Sequence, residues 1–258
     1  MKSRKLVAAL AVRNRGSRLY GKPMQNLHIE SSTTILDNVI ACIKTEDSVS
    51  EIVLGIAEGN DCNVFSDYAD SMQIPSIIGS EEDVLSRLIQ CGDITEATDI
   101  FRVTSESPFP SYSFIKEVWE NHRTTNSDAT FFDDVVDGCG FEIIKLDALK
   151  ESHHLGERRH RSELCTLFIR ENINKFKVTK FDVPLHLIRH DLRLTVDNPE
   201  DLIVCKAIYN QFRDFAPRIP IDKIINFLDQ NLELIKLTEP FTSAGYESMY
   251  NWSNHEQE

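Results

Sequence analysis

Residues 6–24 read LVAALAVRNRGSRLYGKPM, and the fold follows from the change of character at Arg13. Leu6 to Val12 is an unbroken apolar run, the pattern of a strand buried on both faces. It empties into a polar loop carrying Arg13, Asn14, Arg15, Gly16, Ser17, Arg18, Gly21 and Lys22. Glycines let backbone approach a ligand closely, exposed N–H groups bind phosphate oxygens, and Arg and Lys add charge and fixed donors. Such a loop suits a polyphosphate; a solvated basic turn is the plainer alternative. Gly16 to Lys22 has the spacing G-x-x-x-x-G-K of P-loop enzymes. Pro23, however, stands where Ser or Thr would ligate magnesium, and it has no N–H to offer phosphate. The P-loop class is excluded.

Outward from this stretch, strand and helix alternate. Thr34 to Lys44 has helical apolar spacing, 51–58 is a second buried strand, Asn60 to Met72 a helix, and 75–79 a short strand. Ser80 caps the next helix above an acidic first turn, and Asp99 to Thr104 is another strand. Two strands flank the Asp137-Gly138 turn between Ser127 and Leu146. A helix follows from Leu164 to Glu171, a short strand from Leu192 to Val196, and amphipathic helices after Asn198 and over 219–237. The alternation predicts an α/β fold: a mostly parallel open sheet with helices on both faces. Residues 1–241 are expected to form one domain, and 242–258 a polar tail whose Tyr246, Tyr250 and Trp252 could dock on a second copy, a homodimer.

Composition limits the function. The chain has 258 residues and a formal net charge of −13, which argues against a general nucleic-acid binder and makes local basic clusters informative. The six cysteines form no C-x-x-C pair, as expected for reduced thiols in a cytoplasmic protein. The apolar run before Arg13 is too short for a secretory core, and no other segment is long enough to span a membrane.

The loop Arg13-x-x-x-Ser17-Arg18-Leu19-x-Gly21-Lys22-Pro23 resembles the signature loop of CTP-dependent cytidylyltransferases, both those activating 3-deoxy-octulosonate and those of spore-coat and capsule polysaccharide pathways. The resemblance extends over roughly residues 6–212 and implies a Rossmann-like fold of the nucleotide-diphospho-sugar transferase type. Phe101 to Pro110, FRVTSESPFP, resembles the family's R-x-T-G-D-x-P, with Ser105 at the glycine and Glu106 at the magnesium-binding aspartate. Asp197 in LTVDNPEDL matches the family's second magnesium aspartate, while Asn198 to Asp201 are explained by helix capping alone. The resemblance thus implies Mg²⁺ on Glu106 and Asp197. It places Arg13, Arg18 and Lys22 on the phosphates as catalytic groups, and Ala11, Gly16, Ser17, Arg102 and Ser105 with them around the nucleotide.

The looser matches concern the acceptor. Glu82-Asp83-Val84-Leu85-x-Arg87 resembles D-D-V-L-x-R, where Arg87 could reach substrate or brace the phosphate loop; an ordinary i,i+4 pair of Asp83 with Arg87 explains the same residues. Asp137 and Glu142 fall in a segment similar to one lining the family's acceptor pocket. Arg158, Arg159, His160 and Arg161 precede the 164–171 helix, where the family's own arginine and histidine do not align. These four suit a second phosphate-bearing ligand, with a solvated loop or an oligomer salt-bridge patch as alternatives. The expected activity is CMP transfer from CTP to a small anionic acceptor with release of pyrophosphate. The Arg158–Arg161 cluster favours a phosphorylated acceptor of the phosphoglutamine type; a 3-deoxy-octulosonate or sialic-type acid is the alternative. Another base, UTP among them, and a non-catalytic nucleotide-binding protein also stay open, because triphosphate contacts do not select the base.

Overall fold

The computed structural model describes residues 4–250, with side chains through residue 242. β1 (Leu6–Val12) is followed by the polar loop, a two-stranded ribbon of β2 (Asn26–His28) and β3 (Thr33–Thr34), and helix α1 (Ile35–Ile43). Then come β4 (Glu51–Ala57), α2 (Asn63–Met72), β5 (Ser76–Gly79), α3 (Val84–Ile94), β6 (Asp99–Arg102) and α4 (Ile115–Thr125). The second half runs β7 (Ala129–Phe132), β8 (Phe141–Lys145), α5 (Leu146–Leu155), α6 (Leu167–Glu171), β9 (Val178–Lys180), α7 (Pro199–Phe212), α8 (Ile221–Gln230) and α9 (Leu232–Tyr250).

Seven strands form one sheet in the order β5-β4-β1-β6-β8-β7-β9. All neighbours pair in parallel except β8, which runs against both β6 and β7. The expected α/β fold with a mostly parallel sheet is therefore observed. Along β1 the side chains alternate between two cores. Leu6, Ala8, Leu10 and Val12 enter one with residues of α1, α2, α4, α7 and α8, whereas Val7 and Ala9 enter the other with α3, α5 and α6. Helices thus cover both faces, and burying Leu6 or Leu10 stabilises the fold by roughly 1.5–3 kcal/mol each.

The topology places the functional loops. From β1 the chain moves outward to β4 and β5, then returns to β6 on the other side of β1. In open α/β sheets, ligands bind beyond the carboxyl ends of the strands at such a reversal. The loop after β1 and the loop after β6 face each other there.

Several local expectations are corrected. The cap of α3 is Asp83, whose side chain accepts from Ser86 N at 2.8 Å, three residues beyond the predicted Ser80. Residues 192–196 make only an isolated bridge, Asp137 with Arg193, instead of a strand. The reason is that their N–H groups go to loops, Leu194 N to the Asp137 carbonyl at 2.7 Å and Val196 N to that of Glu106 at 3.1 Å. Helix α6 starts at Leu167, not Leu164. The single helix expected over 219–237 is two, α8 and α9, and α9 continues to Tyr250 through the predicted tail. The docking expectation for Tyr246, Tyr250 and Trp252 lies outside the described side chains.

Candidate active site

Gly21 shapes the loop after β1. It adopts a left-handed φ of 60°, and a Cβ there would meet the Asn14 side chain at 2.9 Å. Its N–H donates to the Asn14 carbonyl at 2.8 Å, which folds the loop back on itself. Lys22 follows directly, at the start of a 3-10 turn that Pro23 favours through its fixed φ. The fold-back directs Lys22 toward the carboxyl ends of the strands.

There the loop borders a cavity of about 320 Å³, lined by seven Arg or Lys side chains against four Asp or Glu. The excess is positive although the whole chain is strongly acidic, so the site suits a polyanion. Asp197 is the focus. Lys22 Nζ donates to its Oδ1 at 2.6 Å, Arg18 stands 3.7 Å from the same oxygen, and Arg193 binds Oδ2. Burial pushes the Asp197 carboxyl up, but the hydrogen bond and charge of Lys22, with Arg193 and Arg18, hold it below the usual carboxylate range. Glu106 behaves oppositely. Burial raises it, Lys22 pulls it back, and the charges of Asp197 and Glu163 push it further up. Two carboxylates on one cavity, one of them opposing the ionisation of the other, form a donor set suited to a hard cation. Magnesium takes one or two such carboxylates and completes its shell with water and substrate phosphate. Among the described residues there is no group of three or more His, Cys, Asp or Glu that could hold a metal by themselves.

Arg193 organises the back wall. It is almost fully buried and meets three carboxylates: Nη1 donates to Asp137 Oδ2 at 2.7 Å, Nε to Asp201 Oδ1 at 3.0 Å, and Nη2 to Asp197. Asp201 Oδ2 also accepts from the N–H groups of Asp197 (2.9 Å) and Asn198 (2.8 Å) at the start of α7. Asp201 therefore does more than cap a helix: it fixes both Arg193 and the Asp197 backbone. Gly138, at φ 88°, lets the backbone after Asp137 lie against Leu194 and Thr195, because a Cβ there would come within 2.4 Å of Thr195 N. Asp137 titrates upward, to about 6, because burial outweighs the Arg193 pairing while Asp197 and Asp201 add repulsion.

The other sequence-selected residues divide clearly. Ala11, Arg13, Arg18, Lys22, Arg102, Ser105, Glu106, Asp137 and Asp197 all line the cavity. Arg13 pairs with Glu163, and Arg102 donates to the Glu163 carbonyl at 2.8 Å. Ser105 Oγ sits 2.9 Å from the Ala11 carbonyl and 3.0 Å from Glu106 Oε2, tying the end of β1 to the loop after β6. Gly16 and Ser17 belong to the loop but not to the lining. Arg87 makes no pair with Asp83. It is buried and its Nη1 donates to the carbonyls of Val12 (3.0 Å) and Gly55 (2.7 Å), bracing the ends of β1 and β4 at the cavity floor. Glu142 borders a smaller adjoining cavity, bound to Thr166 Oγ1 at 2.6 Å and Arg170 Nη2 at 2.7 Å.

The Arg158–Arg161 cluster, expected from the sequence to bind the acceptor, is not part of the cavity lining. Arg158 pairs with Glu82 at 2.7 Å, Arg159 binds Glu171 through both Nη atoms at 2.6 and 2.8 Å, and Arg161 stands 3.8 Å from Asp83. His160 is buried, with Nε2 2.8 Å from Glu171. Acids distant in sequence neutralise the cluster locally. Residues the sequence reading missed are Glu163, Arg193 and, from α9, Pro240 and Phe241. Arg193 had a signal. In LRLTVD, Leu192, Leu194 and Val196 are core residues, so Arg193, Thr195 and Asp197 must face the other way, into the cavity.

No family model matches the chain. An uncharacterized protein of Methanocaldococcus jannaschii is 25% identical over 242 residues, 94% of this chain and 98% of the relative. The spore coat polysaccharide biosynthesis protein SpsF of Bacillus subtilis is 25% identical over 232 residues, 89% of this chain and 85% of the relative. A cytidylyltransferase from Leptospira borgpetersenii has a similar structure, with a TM-score of 0.79 at 19% identity over 90% of this chain and 97% of that one. CMP:2-keto-3-deoxy-manno-octonic acid synthetase, solved with CTP, gives 0.60 at 15% identity over 80% of this chain and 99% of that one. These likenesses establish the nucleotide-diphospho-sugar transferase type of fold.

Proposed function

We propose that the chain is a CTP-dependent cytidylyltransferase that moves CMP from CTP onto a small anionic acceptor and releases pyrophosphate. The observation that carries this reading is the convergence of Lys22 and Arg18 from the loop after β1 on Asp197, with Glu106 on the same cavity. The likeness of fold to enzymes that use CTP, and the similarity to a polysaccharide biosynthesis protein, support it. A role in capsule or surface polysaccharide synthesis belongs to the same reading.

Lys22 and Arg18 pair with Asp197, and Arg13 with Glu163. A triphosphate would replace these carboxylates as their partner, and the three cations would then hold the β- and γ-phosphates and stabilise the leaving pyrophosphate. Asp197, released from Lys22, would hold Mg²⁺ together with Glu106, and the ion when bound neutralises charge on the phosphoryl group being transferred. Arg87, Ser105 and Asp201 keep the strand ends and Asp197 in place while this exchange occurs. The phosphorylated, phosphoglutamine-type acceptor loses the residues that favoured it, since Arg158–Arg161 stand off the cavity. A hydroxyl-bearing sugar acid is the acceptor class left with support.

The test is thermal denaturation with each of the four NTPs and Mg²⁺. CTP raises Tm, as linkage requires of a ligand that binds only the folded state. No stabilisation by any NTP would contradict the assignment, and stabilisation by UTP alone would change the base.

A further inference from the structure

A second cavity of about 40 Å³ adjoins the main one and shares Arg102, Thr104, Asp137 and Thr195 with it. That is room for one or two water-sized groups. Within it Arg170 is tied to Asp133 and Glu142, each at 2.7 Å, and Arg102 stands 3.4 Å from Glu142. Asp137 differs. It is 2% exposed and its Oδ2 takes the Arg193 bond, but its Oδ1 is buried with no hydrogen-bond partner among the described residues. A buried carboxylate oxygen left without a donor is costly, and a group that donates a hydrogen bond to it removes that cost. The charged groups that act on it most strongly are Arg193, Asp197 and Asp201, and the Arg193 nitrogens already donate to Asp137 Oδ2, Asp201 and Asp197.

We propose that Asp137 Oδ1 receives the nucleophilic hydroxyl of the acceptor, seated between the two cavities, and takes its proton as that oxygen attacks the α-phosphorus. This inference rests on the cytidylyl-transfer reading and commits the acceptor to a hydroxyl. The acceptor O–Pα bond forms, the bond from Pα to the β-bridging oxygen breaks, and its electron pair leaves on pyrophosphate. The proton passes to Asp137 and then to water. Its carboxyl, raised toward neutrality by burial, is a stronger base than an exposed aspartate. A phosphate nucleophile has no proton to surrender at neutral pH, and its charge would face the unpaired oxygen of Asp137.

The test uses the whole chain with CTP, Mg²⁺ and four probes: 3-deoxy-octulosonate, N-acetylneuraminate, glucose 1-phosphate and phosphocholine. Pyrophosphate release is expected with at least one of the two hydroxy acids and with neither phosphate. Asp137→Asn can keep the Arg193 contact through its carbonyl oxygen while putting an NH₂ where Oδ1 stands. It is expected to lose roughly 10²- to 10⁴-fold in kcat, the range for removing a general base, with calorimetric CTP affinity within about threefold of the wild type. Asp137→Ala should regain part of its turnover with added formate, which a merely structural role would not produce. Use of either phosphate, use of neither hydroxy acid, or an Asn variant with wild-type kcat would each overturn the proposal. So would a loss of CTP affinity as large as the loss of kcat. Absence of CTP binding by the wild type would instead remove the cytidylyl reading beneath it.

Discussion

Two arginine-rich segments of this chain look alike as sequence and differ as chemistry. Arg13 to Lys22 and Arg158 to Arg161 both place several cations on an acidic protein just outside a regular element. The first lies at the reversal of sheet topology beside β1, where its Lys22 and Arg18 meet a carboxylate sunk in the cavity wall. The second is a short 3-10 turn whose arginines find Glu82, Glu171 and Asp83 at the surface, with the Arg158 side chain 87% exposed. Charge density alone does not make an anion site. What matters is whether the fold supplies enough acid to neutralise the cations, and whether the pairing is buried.

That contrast can be broken most forcefully at Asp197. Asp197→Ala should retain its fold yet lose roughly 10²- to 10³-fold in turnover of CTP with a working acceptor, the range seen when one preorganised electrostatic group is removed. Pyrophosphate release measures it, and wild-type turnover would void the role. Next is Arg193→Met. It leaves the Asp137, Asp197 and Asp201 carboxylates close together without their shared cation. Breaking a buried ion pair from one side costs about 3–5 kcal/mol, so Tm should fall by on the order of 10 °C for a chain of this size.

Two of the three carboxylates on Arg193 sharpen the comparison through pH. Asp197 is depressed in the folded state, so its contribution to stability is present above its unfolded pKa and is lost as pH falls through the folded one. Asp137 is raised to about 6, so its contribution is fully present below its unfolded pKa and is lost as pH rises through about 6. Relative to wild type, Asp137→Asn should therefore gain stability between about pH 4 and 6.5, whereas the deficit of Asp197→Asn should shrink on acidification below about pH 4. Chemical denaturation across pH checks both signs. The smallest effect is at the second cluster. Arg159→Ala removes a largely exposed pair and should cost about 0–1 kcal/mol.

Much of the fold was legible because each cue was local. The apolar run of β1, the turn at Asp137-Gly138 and the Asn198-Pro199 helix start all act within a few residues, and all appear where expected. The motif residues that line the cavity were legible too, since they close each strand. What could not be read was who pairs with whom. Glu171 and Glu82 neutralise the second cluster from 12 and 76 residues away, and that is decided by packing of α3, α6 and the turn. Arg87 showed the same limit: an i,i+4 neighbour was available, but the carbonyls of Val12 and Gly55 captured it when α3 packed on the sheet. Pro240 and Phe241 were unreadable as site residues because only the return of α9 across the fold brings them to the cavity.

The central claim is that the loop after β1 is the triphosphate site and that the Arg158–Arg161 turn takes no part in holding the nucleotide. Titration calorimetry of CTP–Mg²⁺ against wild type, Lys22→Ala and Arg159→Ala tests it most directly. Loss of a charged hydrogen-bond donor is worth about 1.5–3 kcal/mol, so Lys22→Ala should weaken binding roughly ten- to hundred-fold while Arg159→Ala binds as wild type does. Equal affinities for wild type and Lys22→Ala, or a larger loss in Arg159→Ala, would contradict the account.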